Sequence, residues 1–418
     1  MKIFRDIFRL PPAHTLVVSP DGIRAHRYWS PPKDGRIRYR QAGEYVEHFQ
    51  KILQDAVADR LRVDRAGILL SGGLDSSSLA ATAKKLPAAP HPIDLRAYTV
   101  TYDPLLPDQD GRNAREVCEF LSIPGRFFAA DKLVPFERWN DSQFHWPEPV
   151  DDPFFVGLFD QFQMAAADCR VLLEGEGIDN LMDFQMWPYA KDLARHHKWA
   201  QLMKDGAKFL WVRPIPWKGI RKRLRGFFGN DLNVRLFPEW IAPDFAKRAN
   251  ILDRWEQYSV LRSPQGTHPV MPRAYASLFL PHWTQSFEWV DPGVTRCHVE
   301  ERHPFLDLRI VDYVLSLPPF PWAFQKKLLR ETMIGRLPDK VRLRAKTPLA
   351  GDPFLKMLQL PEMKWLDDAD RVQNFPWDGR MDAWVDRKAI GRLAGERNSE
   401  RARVTVRPLC LNFWLQSR

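Results

Sequence analysis

The stretch Ser71-Gly72-Gly73-Leu74-Asp75-Ser76-Ser77 follows the apolar run Gly67-Ile68-Leu69-Leu70 and leads into the helix-compatible Ser78-Leu79-Ala80-Ala81-Thr82-Ala83. A strand that empties into a Gly-rich turn and then a helix is an anion-binding arrangement. Two glycines let the backbone approach an anion, and the helix N-terminus offers unpaired N–H groups with a partial positive charge. The spacing is not a Walker loop, which needs Gly-Lys-Ser/Thr, nor a dinucleotide fingerprint, which needs Gly-x-Gly-x-x-Gly. Asp75 is the informative residue. A carboxylate inside an anion cradle implies a divalent cation bridging it to phosphate oxygens. The competing reading is a serine-capped helix after a buried strand.

The flanking sequence predicts how this turn is mounted. Residues 41–61 carry Tyr45, Phe49, Ile52, Leu53, Ala56, Val57 and Leu61 at helical spacing, so an amphipathic helix precedes the first strand. Strands are expected at 95–100, 125–128 and 170–173, with helices at 113–121 and 160–168 between them. Strands alternating with helices predict a doubly wound parallel sheet over residues 41–185, followed by a largely helical half over 186–418. Ahead of these lie short strands at 7–10, 15–18 and 26–29, then a Pro-, Gly- and Arg-rich linker at 30–40.

In such a sheet the ligand lies at the carboxyl ends of the strands. The fourth strand runs into Glu174-Gly175-Glu176-Gly177-Ile178-Asp179-Asn180, a second glycine-punctuated turn with three acids. If both turns occupy the same edge, Asp75 and Asp179 converge on one hard cation. Three later segments carry cationic side chains: Glu301-Arg302-His303-Pro304-Phe305-Leu306-Asp307, Lys326-Lys327-Leu328-Leu329-Arg330, and Arg342-Leu343-Arg344-Ala345-Lys346-Thr347-Pro348. Fixed Lys or Arg contacts suit a reaction that expels pyrophosphate, although each run read singly is a solvated basic face.

Composition bounds the rest. With 418 residues, 44% hydrophobic and 27% charged, the chain has the make-up of a globular protein with ample core. No apolar run approaches the roughly 18 residues of a spanning helix, and residues 1–6 lack a secretory signal, so no membrane and a cytoplasmic location are expected. Cys118, Cys169, Cys297 and Cys410 are scattered and read as reduced thiols. The net charge of +10 gathers at Lys218, Arg221, Lys222, Arg223 and Arg225, at 342–346, and at Arg397, Arg401 and Arg403. None of these runs carries a nucleic-acid module, so a nucleic-acid partner is not expected.

Taken together, SGGLDSS, GEGxD, ERHPFLD, KKLLRE and RAK resemble the synthetase domain of the asparagine synthetase family, in the order that family uses them, across residues 40–350. The first motif resembles the loop of PP-loop ATP pyrophosphatases, of the adenine nucleotide α-hydrolase-like fold. The resemblance implies that ATP adenylates a substrate carboxylate, and that ammonia or an amine then displaces AMP. It implies that Ser71, Gly72, Gly73, Asp75, Ser76 and Ser77 hold pyrophosphate, and that Asp75 and Asp179 bind Mg²⁺. Leu69, Val100 and Gly175 would contact adenosine, Glu176 would steer the amine, and Lys346 would stabilise the transition state. Lys326 and Arg330 are further phosphate candidates.

Residues 1–29 resemble the closing strands of that family's glutaminase domain. Most of that domain is missing and position 2 is not Cys, so no glutamine hydrolysis is expected and a separate glutaminase is one implied partner. Glu174, Asn180 and Met182-Asp183-Phe184 depart from the asparagine synthetase pattern Ser-Gly-Glu-Gly-x-Asp-Glu-Leu and its Gly-Gly-Tyr tail. Residues 237–245 resemble divergent relatives such as lasso peptide cyclases, which would bring a peptide carboxylate and a precursor-peptide-binding protein. The open readings are therefore asparagine synthesis, a macrocyclase or other secondary-metabolite ligase, an inactive partner-binding homologue, and a tRNA-modifying enzyme built on the same loop.

Overall fold

The computed structural model describes residues 6–34, 37–86, 92–103, 105–130, 133–139, 141, 146–212, 237–261, 268–280, 282–345, 351–391 and 396–417. The basic cluster at 218–225 and Lys346 lie outside the described residues. Two antiparallel strands, β1 (His14–Ser19) and β2 (Gly22–Arg27), form an exposed ribbon in which Ser19 pairs with Gly22. Residues 7–10, expected as a strand, make no ladder. Arg9 instead ties this segment to the body by its side chain, donating to Glu288 at 2.8 Å and to Glu148.

The main sheet has five parallel strands: β3 (Arg65–Leu69), β4 (Asp94–Thr101), β5 (Gly125–Ala129), β6 (Val171–Leu173) and β7 (Glu300–Arg302), in the spatial order β5-β4-β3-β6-β7. Registers include Ile68 with Ala97, Ile68 with Leu173, and Leu172 with Glu301. Alternation along each strand divides the core. Ala66, Ile68, Ala97, Val171 and Leu173 face α1 (Ala42–Asp59), α2 (Leu74–Lys84) and α3 (Gln109–Leu121). Tyr98 and Leu172 face the opposite way, onto Phe162 and Ala165 of α4 (Phe155–Ala166). Helices on both faces of a parallel sheet make it doubly wound, as predicted.

Helix α1 follows its sequence pattern. The Gln41 N–H donates to Glu44 Oε2 at 2.7 Å, and the predicted apolar stripe is buried from Tyr45 to Val57, with Phe49 and Leu53 at 0% exposure, while Leu61 falls past the helix end and is half-buried. Each such side chain contributes roughly 1.5–3 kcal/mol by leaving water.

Strand β7 was not expected. It lies within the helical half, and its three residues are all charged. It joins the sheet through the backbone, and Glu174 N donates to Arg302 O at 3.0 Å just beyond its end. Among the described residues the other elements of that half are helices, apart from a single bridge between Ile241 and Val385, and it closes with the helix Ser399–Gln416. That helix buries Val406, Leu409 and Cys410 against Phe155, Phe159 and the pair Trp139–Trp146, whose ring centroids stand 5.0 Å apart. These tryptophans are core. All four cysteines are buried and unpaired, and no helix among the described residues is long and apolar enough to cross a membrane.

Candidate nucleotide site and its acidic flank

The two glycine turns meet at the carboxyl edge of the sheet, and two glycines explain how. Gly72 has φ +70°, and a Cβ there would stand 2.2 Å from the carbonyl oxygen of Asp110 in α3. A Cβ on Gly175 would stand 2.8 Å from the backbone nitrogen of Ser76. The first turn therefore packs on α3 and the second on the opening turn of α2, approaches a side chain would block. Gly73 precedes α2 without a side-chain cap, the kind of helix start whose N–H groups suit an anion. The Ser76 hydroxyl accepts from Ser71 N at 3.1 Å and lies 3.0 Å from Ser71 Oγ, bracing the loop from within.

Both turns lie at this edge, and Asp75 and Asp179 come together there. Lys326 Nζ lies 2.5 Å from Asp75 Oδ2 and 2.5 Å from Asp179 Oδ1. One ammonium thus occupies the place between two hard oxygen donors, and that donor set fits Mg²⁺. Lys326 adopts a left-handed backbone, φ 54°, at the start of the helix Lys327–Thr332, which turns its side chain to this point.

Other expected residues fall as follows. Leu69 closes β3 and Val100 is the penultimate residue of β4, so both lie at the carboxyl edge, half-buried. Ser71 is exposed, whereas Ser77 is 0% exposed and its hydroxyl has no hydrogen-bond partner among the described residues. Arg330 directs its guanidinium to backbone carbonyls, those of Gln325 at 2.7 Å, Arg344 at 2.9 Å and Arg342. Burial lowers its pKa, with Asp75 opposing. It clamps the segment preceding Lys346 in sequence. Arg344 in turn reaches Asp110 of α3 at 2.5 Å, beside the contact point of Gly72.

Glu176 is half-buried on the other flank. Burial raises its pKa first and the neighbouring Glu174 second, with His303 opposing. Glu174 Oε2 accepts the Glu176 N–H at 2.5 Å. His303 stands between two carboxylates, one for each ring nitrogen: Nδ1 is 3.5 Å from Glu174 Oε2 and Nε2 is 3.4 Å from Glu301 Oε1. Sequence reasoning quoted Glu301 and His303 inside a motif and gave them no role. The available signal was the acid at 174, where the family pattern has serine.

The chain matches the asparagine synthase family over residues 48–416 and belongs to that family. Its parallel sheet, with helices on both faces and the two glycine turns at its carboxyl edge, is a doubly wound α/β fold. Among curated relatives it is 24% identical to amidase chry2 of Gibberella zeae, over 83% of this chain and 59% of that one. It is also 24% identical to glutamine-hydrolysing asparagine synthetase 3 of Bacillus subtilis, over 83% of this chain and 54% of that one. The chain thus spans little more than half the length of these relatives. Solved structures with a local likeness include an NMN synthetase from Francisella tularensis, with TM-score 0.24 and 18% identity over 35% of this chain and 58% of that one. Another is the U34-tRNA thiolase NcsA of Methanococcus maripaludis, with TM-score 0.26 and 15% identity over 57% of this chain and 80% of that one.

Proposed function

We propose that this protein is an ATP-dependent, AMP-forming amide ligase. A substrate carboxylate oxygen attacks the α-phosphorus of ATP and pyrophosphate leaves. An amine then attacks the acyl carbon, and the C–O bond breaks with its electron pair going to AMP. The observation that carries this reading is the meeting of Asp75 and Asp179 on one cation beside an uncapped helix N-terminus. Asp75 and Asp179 would hold Mg²⁺, which supplies charge neutralisation at the phosphates. Ser71, Gly73 and the first turn of α2 bind the phosphates, and Lys326 is released toward them. Leu69, Val100 and Gly175 border the adenosine, Glu176 receives a proton from the amine, and Lys346 serves the leaving group.

A second reading, an amide ligase acting on a larger or peptidic carboxylate, has its own support. Phe184, in place of the family's glycine-rich tail, packs with Phe209, Phe320 and Phe324 at centroid distances of 6.4, 5.8 and 5.8 Å. This builds an apolar wall three residues beyond Leu181 of the short helix Ile178–Leu181 that carries Asp179. The relative named as an amidase is consistent with varied amide chemistry in the family. A separate glutaminase, or a protein that delivers a peptide, is the partner each reading brings, in a cytoplasmic setting where ATP is supplied.

ATP–pyrophosphate exchange tests the proposal. Exchange with free aspartate supports the first reading and exchange only with a peptide the second. Asp75→Ala is expected to lower exchange at least about 10³-fold by removing a cation ligand. Full exchange in that variant would falsify the assignment.

A further inference from the structure

The nucleotide side of the site does not use His303 or Glu301. The Glu301 side chain is 6% exposed, and no hydrogen bond among the described residues reaches its carboxylate. The His303 side chain is 12% exposed, and its Nδ1 is buried, with no hydrogen bond among the described residues, and stands 3.5 Å from Glu174 Oε2. The Phe287 ring covers the imidazole at a centroid distance of 4.8 Å. Beyond Glu301 opens a cleft of about 670 Å³, bordered by all three residues of β7 and by Asp59, Arg60 and Arg62 at the end of α1.

An imidazole with a carboxylate at each nitrogen is the arrangement that passes a proton from one side to the other, because it can take a proton on one nitrogen and release it from the second. The order of groups is directional. Glu176 is on the turn that packs against the opening of α2, Glu174 holds its backbone, and His303 faces Glu301, both of them bordering the cleft. Building on the ligase reading above, we propose that Glu174, His303 and Glu301 form a proton exit. It would carry protons from a nucleophile that arrives as a protonated amine or ammonium to the cleft along β7.

The proton balance requires such an exit. An ammonium R–NH3⁺ gives one proton to the Glu176 carboxylate before its lone pair can attack. The second proton leaves as the C–N bond forms and AMP departs with the acyl C–O pair. Each amide therefore delivers two protons into a half-buried site already holding three glutamates. The electrostatics agree. Burial raises Glu301 to about 7, with His303 opposing and Glu174 and Glu176 adding to the rise. Burial lowers His303 but the three glutamates outweigh it, so its net direction is upward. The other charged groups facing the pair are Glu300 and Arg302 on its own strand, the α1-end residues above, and Asp291 across the cleft. Arg302 is engaged with Glu300 at 3.0 Å and with the Arg60 carbonyl at 2.7 Å.

Two measurements on the full chain test this. In the first, the imidazole of His303 is followed by NMR titration in the wild type and in Glu301→Gln and Glu174→Gln. The expected result is a His303 pKa that falls in each variant. An unchanged titration in both overturns the proposal, whatever becomes of the ligase reading. In the second, amide formation is compared with ATP–pyrophosphate exchange, using the carboxylate that supports exchange and either ammonium or hydroxylamine as nucleophile. For His303→Gln and Glu301→Gln, the amide step with ammonium at pH 7 is expected to fall about 10²-fold further than exchange falls. Hydroxylamine is neutral at this pH and needs no proton removed before it attacks, so it recovers most of that loss. Raising the pH narrows the gap as well. Equal losses with both nucleophiles, or an equal loss in exchange, overturn the proton exit. Absence of exchange in the wild type counts against the ligase reading instead, and the titration still decides this one.

Discussion

Two acidic neighbourhoods flank the end of β6, and they are neutralised in different ways. On the nucleotide side, Asp75 and Asp179 share the ammonium of Lys326. On the β7 side, Glu174 and Glu301 share one imidazole, with Glu176 close by. A lysine supplies a fixed charge that a metal or a phosphate can displace from its place. An imidazole supplies a charge that comes and goes near neutrality. The first arrangement suits binding a polyanion through a cation, and the second suits handling protons. The same five-residue turn, 175–179, serves both, with Glu176 on one flank and Asp179 on the other.

The strongest way to separate the two is to damage the scaffold of one. Gly72→Ala places a methyl on a backbone with φ +70° and 2.2 Å from the Asp110 carbonyl. Strain and overpacking together cost about 4 kcal/mol. Exchange should fall more than about 100-fold while the His303 titration stays as in the wild type. Chemical denaturation, exchange and NMR on one preparation check this, and a shifted His303 titration would mean that the two sides are a single unit.

Next in size is an effect confined to the β7 side. Burial holds the folded Glu301 pKa at about 7, well above the ordinary carboxylate range. The folded state then keeps its proton longer than the unfolded chain does. Glu301 therefore weakens the fold progressively as pH rises through this window, with the full cost present above pH 7. Glu301→Gln removes that dependence. Relative to the wild type, it should gain about 3 kcal/mol between pH 4 and pH 8. Urea midpoints at the two pH values measure it, and a variant that runs parallel to the wild type would break the contrast with the lysine side.

The lysine side has a smaller counterpart. Lys326→Ala removes the ammonium that Asp75 and Asp179 share in a partly exposed place, at a cost of about 1–2 kcal/mol. Millimolar MgCl2 should restore this stability, so the thermal shift on adding Mg²⁺ is larger in the variant than in the wild type. Equal shifts would remove the two aspartates as a shared cation site.

The uneven legibility of the molecule follows the same division. The glycine turn after β3 could be read because its pattern is local: apolar strand, two glycines, acid and helix lie within one short run, and the closeness of Asp75 to Asp179 follows from both turns lying at one sheet edge. Four of the five main strands carry apolar residues that announce them. Strand β7 does not, since Glu300, Glu301 and Arg302 form an edge strand held by backbone bonds. The role of Glu174 was hidden for a related reason, because its partner His303 is more than a hundred residues away in sequence. Residues 7–10 show the converse. Their pattern suits a strand, but two flanking ion pairs of Arg9 fix them without a ladder.

Arg330 offers the finest distinction on the nucleotide side. It was expected at the phosphates, yet its guanidinium spans the carbonyls of Arg342 and Arg344, immediately before Lys346 in the chain. A planar fork can hold two carbonyls in fixed relation, and an ammonium on a flexible stem cannot. Arg330→Lys keeps the positive charge and loses that clamp, so it separates charge from positioning. The expected loss is about 1 kcal/mol of stability. Exchange should fall about tenfold through its rate, with ATP affinity by calorimetry nearly unchanged. If ATP affinity instead falls in step with the rate, the guanidinium turns to the phosphates when nucleotide is bound. The nucleotide side would then rest on two cations, Lys326 and Arg330, and would differ more sharply still from the side governed by His303.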